Sequence, residues 1–212
     1  MSSSLGVLLG FFLLFPFFLI AVVVHEVSHG WVALWRGDQT ALAAGRLTLN
    51  PFRHIDPIGT VVLPLVLLWA KAPFVFGWAK PVPVNFFNLR NPKRDMLWVG
   101  AAGPAANFIL ACGLALLLKG GGFILPPWGI GLLEYLILVN LVLGTFNLIP
   151  VPPLDGSRIL AGLLPPRLAV RVLALEPWGV VLVLILMVSG LVNRILWPVV
   201  RFLAGLLGVL HG

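Results

Sequence analysis

The chain alternates between long apolar stretches and short polar segments, a pattern typical of helices that cross a membrane. Residues 5–35, 95–118 and 128–149 are each long enough for the roughly 20 predominantly apolar residues that one span requires. Residues 58–70 are also apolar, but they are too few to span, and Pro64 interrupts them. We therefore predict three transmembrane helices, with a short re-entrant segment between the first and the second.

Two further features complete the predicted architecture. The apolar segments 178–192 and 195–210 predict either two more spans or one span with an interfacial helix. Residues 46–50 alternate between polar and apolar side chains, as a short strand does. The predicted fold class is therefore an all-α polytopic membrane protein with a re-entrant or β segment after its first helix and one or two C-terminal helices.

Composition agrees with a membrane location and excludes the alternative that net charge suggests. The 212 residues are 60% hydrophobic and 10% charged, whereas soluble domains carry about 25% charged residues. A net charge of +7 favours nucleic acid as a partner in a soluble protein. Here the Lys and Arg residues lie mostly between apolar segments, where they anchor helices at the bilayer surface. We therefore expect lipid contact and no nucleic-acid partner.

Candidate chemistry begins with His25-Glu26-Val27-Ser28-His29, which ends an uncharged run from Leu5 to Val24. Positions i and i+4 share one face of a helix, so the two imidazoles point the same way and can bind one metal ion. Glu26 lies beside them, within reach of a metal-bound water. This is the His-Glu-x-x-His pattern of zinc hydrolases, and ionisable groups at membrane depth indicate function.

A catalytic zinc takes three protein ligands and keeps one position open, so a third ligand is needed. Among the seven acidic residues, Asp155 stands out because it follows an apolar helix that Pro150, Pro152 and Pro153 interrupt. Non-helical backbone at membrane depth is tolerated where it lines a cavity. Such a break can direct a carboxylate towards a metal ion that another helix holds.

These motifs resemble those of the site-2 proteases, a family of intramembrane zinc metalloproteases. Two segments carry the resemblance: His25-Glu26-x-x-His29 and Asn147-x-x-Pro150-x-Pro152-x-Leu154-Asp155-Gly156. The segments Gly103-x-x-x-Asn107 and Pro81-Val82-Pro83-Val84-Asn85 are similar to features of the family's short prokaryotic members. The resemblance covers residues 15–160, and no PDZ insertion is visible in the loops.

The resemblance implies one zinc ion per chain, held by His25, His29 and Asp155. Glu26 is then the general base and later the proton donor, and the Asn147 amide donates to the oxyanion or holds the substrate backbone. With zinc at +2 and the two carboxylates at −1 each, the site is formally neutral, which limits its cost in a bilayer.

The implied activity is zinc-dependent endoproteolysis within or near transmembrane helices of other membrane proteins, in a prokaryotic cell membrane. Residues 1–160 are the expected catalytic core and residues 161–212 accessory helices. A helical substrate must unwind before cleavage, and residues 45–50 are a candidate edge for β-augmentation or a simple connection. A metal-binding transporter and a proteolytically silent relative are the alternatives, although a transporter should show interrupted helices in both halves. A homo-oligomer is compatible with the sequence.

Three other polar residues are weaker candidates. His54 is either a further group at the metal site or a loop histidine, and the second is favoured. We expect Asn107 and Asn140 to form hydrogen bonds between helices, with a direct role at the substrate as the alternative for Asn107. A topological condition also follows: unless the motif lies near mid-depth, the first and third spans must run parallel for it to meet Asp155. The re-entrant segment 58–70 makes them parallel.

Overall fold

The structure is a computed structural model that describes residues 4–70, 77–122 and 124–209. Regular structure in these ranges is helical throughout. The α-helices are α1 (Ser4–Trp35), α2 (Thr40–Ala43), α3 (Leu63–Trp69), α4 (Pro92–Gly121), α5 (Pro127–Asn147), α6 (Asp155–Leu163), α7 (Pro166–Leu173), α8 (Gly179–Val188) and α9 (Leu191–Leu206). A π-helix, Pro57–Val62, leads into α3, and 3-10 turns occupy Pro51–Arg53, Phe86–Asn88 and Glu176–Trp178.

Four helical stretches of the described chain are long and apolar enough to cross a membrane. They are Leu13–Trp35, Pro92–Gly121, Pro127–Asn147 and Pro166–Val188. The protein is therefore a multi-pass integral membrane protein, and the predicted all-α class is confirmed. The first three stretches are the predicted spans, while the fourth begins upstream of the predicted segment 178–192 because it includes α7.

The main apolar core joins α4, α5 and α9. Its buried members are Ala111, Ala115, Ile137, Leu141, Val192, Leu196, Val200 and Ala204. Small side chains on α4 allow close approach of the neighbouring helices, which is how helices associate where lipid removes the hydrophobic driving force. Helix α4 also packs against α1 and α6, so it lies between the two elements that carry the candidate ligands.

The segment between α2 and α4 turns back on itself. Residues 57–69 form about 20 Å of helix, which is less than the roughly 30 Å of a bilayer core. The N–H of Trp78 donates to Gly59 O at 3.1 Å, and the N–H of Lys80 donates to His54 O at 2.8 Å. These bonds return the chain to the start of the helix, as a re-entrant segment requires.

The strand predicted at residues 46–50 is wrong, since the described residues contain no strand. The backbone N–H of Arg46 donates to Ala41 O and completes α2, and the N–H of Asn50 donates to Thr48 Oγ1 in a local turn. The Arg46 guanidinium donates to Lys80 O at 2.7 Å. The hydrogen bond from the Arg46 side chain therefore links this segment to residues 80–81, where a strand would have used backbone hydrogen bonds.

Asp38 joins the end of α1 to the segment that precedes α4. Its carboxylate is inaccessible to solvent and accepts hydrogen bonds from the N–H and hydroxyl of Thr40, the N–H of Asn85 and the amide of Asn88. Burial opposes ionisation of the carboxyl, but these donors outweigh it and hold the pKa of Asp38 below its ordinary value.

Replacing Asp38 by Asn is expected to destabilise the protein by about 2–3 kcal/mol, because an amide cannot accept all of these bonds. The loss corresponds to roughly 4–12 °C in Tm for a chain of this size. The stabilisation by ionised Asp38 is complete above its unfolded pKa of about 3.9 and disappears as pH falls through the lower folded value. Thermal unfolding in detergent at pH 6 and pH 3 measures this; an equal Tm for both proteins at pH 6 contradicts it.

Candidate metal centre

Two helices bring three ligand-type side chains together inside the protein. His25 and His29 lie one turn apart near the C-terminal end of α1, and their ring centroids are 4.8 Å apart. Asp155 is the first residue of α6, and its Oδ2 lies 2.9 Å from His25 Nε2 and 3.2 Å from His29 Nε2. All three residues are buried, and one ligand atom from each lies within 4.8 Å of the other two.

The turn between α5 and α6 places Asp155 at this point. The N–H of Leu154 donates to Val151 O at 3.0 Å, so the proline-rich chain folds back on itself and α6 starts at once. A Cβ at Gly156 would lie 2.5 Å from Ile149 O, well inside van der Waals contact. Glycine therefore lets the start of α6 pack against the carbonyls that directly follow α5, which fixes the position of Asp155.

The hydrogen bonds of the two imidazoles leave the same nitrogen of each ring free. His29 Nδ1 lies 2.6 Å from the Val99 carbonyl, which only accepts, so Nδ1 carries the proton and donates it. His25 Nδ1 lies 2.6 Å from Asn107 Oδ1 and donates in the same way. In the neutral form of each ring Nε2 therefore presents a lone pair, which is the arrangement of metal-binding histidines.

The donor set fits a cation. Asp155 Oδ2 is buried and has no hydrogen-bond donor among the described residues, and the two nearby Nε2 atoms carry lone pairs. With both rings neutral, these three buried acceptors face one another without a proton, and a positive ion relieves their repulsion. Two imidazoles and one carboxylate are the donors that zinc takes at catalytic sites.

Gly103 of α4 provides the space that the imidazoles occupy. A Cβ built on this residue would lie 2.5 Å from Nε2 and 2.6 Å from Cε1 of His25, and it would also overlap His29 Nε2. Helix α4 can thus approach α1 at this level only with glycine at this position. Among the small residues of α4, Gly103 therefore makes room for the ligand cluster.

Glu26 is held by a backbone donor that the sequence did not reveal. Its Oε2 accepts a hydrogen bond from the N–H of Val82 at 3.0 Å. Pro81 and Pro83 have no N–H, so Val82 supplies the one backbone donor of this tripeptide. A backbone donor has no residue signature, and the loop's proximity to α1 comes from tertiary packing, so the residue pattern gave no sign of this contact.

The remaining predicted polar residues lie in different settings. The Asn147 amide donates to Leu143 O, 3.0 Å away on its own helix, and its predicted contact with substrate stays a prediction. His54 is fully buried outside the ligand cluster and donates through Nε2 to Thr48 O at 2.8 Å, as a loop histidine does. The predicted bonding of Asn107 and Asn140 between helices is confirmed, since Asn107 Nδ2 donates to Asn140 Oδ1 at 2.8 Å.

Fold and site together define a multi-pass membrane protein with a buried His-His-Asp centre, and comparison with known proteins gives its family. The profile of peptidase family M50 matches residues 128–188. YwhC of Bacillus subtilis (strain 168), which carries a zinc-metalloprotease name, is 39% identical over 199 residues, covering 89% of this chain and 87% of that protein. Rip2 of Mycolicibacterium smegmatis, with a similar name, is 31% identical over 94% of this chain and 75% of its own length. No solved structure gives a significant match.

A more distant relative comes from an archaeon. Zinc metalloprotease MJ0392 of Methanocaldococcus jannaschii is 30% identical over 154 residues, which is 73% of this chain and 35% of that protein. The chain belongs to peptidase family M50, the site-2 proteases. It is a zinc metalloendopeptidase, and this relationship decides against the transporter alternative.

Proposed function

We propose that this zinc metalloprotease cleaves peptide bonds within or near the transmembrane helices of other membrane proteins. The observation that carries the proposal is the position of His25 and His29, which lie inside the membrane-spanning part of α1 with Asp155 against them, all three almost inaccessible to solvent. A protease of soluble or unfolded chains has no need for a centre at that depth. The plasma membrane of a prokaryotic cell is the proposed location, in keeping with the bacterial and archaeal relatives.

His25, His29 and Asp155 are the proposed zinc ligands, because their free acceptor atoms converge. When bound, zinc supplies Lewis-acid chemistry that polarises the scissile carbonyl and lowers the pKa of a water molecule. The protein's part is to orient both imidazoles with Nε2 towards the ion, which the acceptors on their Nδ1 atoms do.

Glu26 is the proposed proton-transfer group. It is adjacent to the first ligand and half-buried, and the bond from the N–H of Val82 holds one carboxylate oxygen and leaves the other for a proton. A carboxylate in this position accepts a proton from the attacking water and later gives it to the leaving amine. Asn147 is the proposed substrate-binding amide. One of its two amide N–H groups donates to Leu143 O, and the second is free to donate to the oxyanion or to the substrate backbone.

The direct test compares the wild-type protein with Glu26→Gln in liposomes that contain a panel of single-span membrane proteins. Glutamine keeps an acceptor for the N–H of Val82 but cannot transfer the proton, so cleavage should fall by about 10²–10⁴-fold. Zinc content should stay at one ion per chain. Mass spectrometry of the fragments should place the cleaved bonds within or next to the apolar segment.

Glu134→Gln is the matched control, because it makes the same chemical change on α5, away from the ligand cluster. It should retain wild-type cleavage. Equal cleavage by wild type and Glu26→Gln would refute the role of this carboxylate, and fragments cut only in soluble segments would refute the intramembrane substrate class.

A further inference from the structure

A chain of amide groups connects three transmembrane helices to the first proposed ligand. Asn140 Nδ2 on α5 donates to Leu136 O at 2.9 Å, and its Oδ1 accepts from Asn107 Nδ2 on α4 at 2.8 Å. Asn107 Nδ2 also donates to Ala21 O on α1 at 3.3 Å, and its Oδ1 lies 2.6 Å from His25 Nδ1. Asn107 is 0% and Asn140 2% exposed, so bulk water cannot replace any member of the chain.

The direction of this chain is fixed at its far end. The Leu136 carbonyl only accepts, so the nitrogen of the Asn140 amide must face it and the oxygen must face Asn107. That oxygen in turn requires the nitrogen of the Asn107 amide. The Asn107 oxygen therefore faces His25 and accepts a hydrogen bond from it, so His25 must carry a proton on Nδ1.

We propose that Asn140 is a positioning residue for the metal centre: acting through Asn107, it keeps the proton of His25 on Nδ1 and the lone pair on Nε2. This inference rests on the proposed role of His25 as a zinc ligand. Without Asn140, the Asn107 amide would be held in this orientation by its longer bond to Ala21 O, which is a weaker restraint. If the Asn107 amide group rotated by 180°, its nitrogen would face His25 and would need an acceptor there. The neutral imidazole would then carry its proton on Nε2, the atom that must bind zinc.

Zinc affinity of purified protein, measured by competition with a chelator, gives the first test. Asn107→Leu should weaken zinc binding by about 10–100-fold and Asn140→Leu by about tenfold, the range for loss of an outer partner of a ligand. Asn140→Asp should restore the affinity towards wild type, because a carboxyl oxygen accepts from Asn107 whether or not the carboxyl is protonated. Thr145→Val is the matched control: the residue is buried on the same helix, and its hydroxyl has no hydrogen-bond partner among the described residues.

Nuclear magnetic resonance of protein labelled with ¹⁵N-histidine and loaded with ¹¹³Cd gives a readout that a general packing defect would not produce. The chain has four histidines, so the spectrum is sparse. Wild-type protein should show cadmium coupling to Nε2, and a proton on Nδ1, for both His25 and His29. In Asn140→Leu the Nδ1 proton of His25 should shift and exchange faster, while that of His29 stays unchanged because its acceptor is the Val99 carbonyl.

The outcomes separate the two proposals. Absence of cadmium coupling to His25 and His29 in wild-type protein would refute the metal centre and the inference with it. Normal couplings, with Asn140→Leu matching Thr145→Val in affinity and in the His25 proton signal, would overturn the inference alone. An equal change in the Nδ1 proton signals of both histidines would also overturn it. That result would indicate a general packing defect and not a change in the orientation of the Asn107 amide.

Discussion

Replacing Asp155 by Ala is expected to abolish both zinc binding and proteolysis. The carboxylate is the negatively charged member of the ligand cluster, and without it two neutral imidazoles face a divalent ion in a low-dielectric interior. The loss of affinity should exceed the 10–100-fold that removal of an outer partner causes. Metal analysis after dialysis should find less than one zinc ion in ten chains, and cleavage of a membrane substrate should fall to background.

Thermal unfolding separates this loss from misfolding. Zinc that binds the folded state alone stabilises it by about 4 kcal/mol at 1,000 times its Kd, so adding zinc to stripped wild-type protein should raise Tm by roughly 8–16 °C. Asp155→Ala should show no such increase. A cooperative unfolding transition of metal-free Asp155→Ala would show that the variant still folds.

Ser157→Ala is the control for this prediction. Ser157 is buried on the same helix, and its hydroxyl donates to Leu154 O without contacting the ligand cluster. It should bind zinc and cleave substrate as wild type does. Retention of a full zinc ion by Asp155→Ala would contradict the ligand assignment, whatever happened to cleavage.

The three ligand-type residues could be predicted because their geometry depends on local structure. A helix forces the i and i+4 histidines onto one face, and prolines end the helix before Asp155. The sequence also predicts that α1 and α5 run parallel, since residues 58–70 are too short to span and a metal site needs both helix ends at one level. The backbone bonds that return the chain to Gly59 agree with this reasoning.

The features that sequence reasoning missed depend on contacts between distant segments. The alternation at residues 46–50 resembles a strand, but a strand needs a partner, and here the Arg46 side chain takes the carbonyls that a partner would use. The N–H of Val82 at Glu26 leaves no mark on residue type. The sequence indicates that Asn107 and Asn140 bond across helices, but the order of donors and acceptors, and thus the link to His25, depends on which groups meet in the folded protein.

Replacing Gly103 by Ala is expected to disrupt the metal centre without removing any ligand. The added methyl group would lie 2.5 Å from His25 Nε2 and would also overlap His29, so α4 or both imidazoles must move. Neither ring has a free alternative, because the Nδ1 bonds to Asn107 and Val99 fix their orientation. We expect zinc affinity to fall by at least about 100-fold, the upper end for indirect perturbation of a ligand, and cleavage to fall with it.

Gly113→Ala on the same helix makes the comparison decisive. A Cβ at Gly113 meets nothing within 4 Å, so the substitution adds the same methyl group without a collision. Alanine also favours the helical state over glycine by about 1 kcal/mol, so this variant should keep full zinc content and a Tm equal to or above that of wild type. Both variants gain that helical preference, and any difference between them therefore measures the space around the histidines. Equal zinc affinity in the two proteins would show that α4 does not limit the room for the metal ligands.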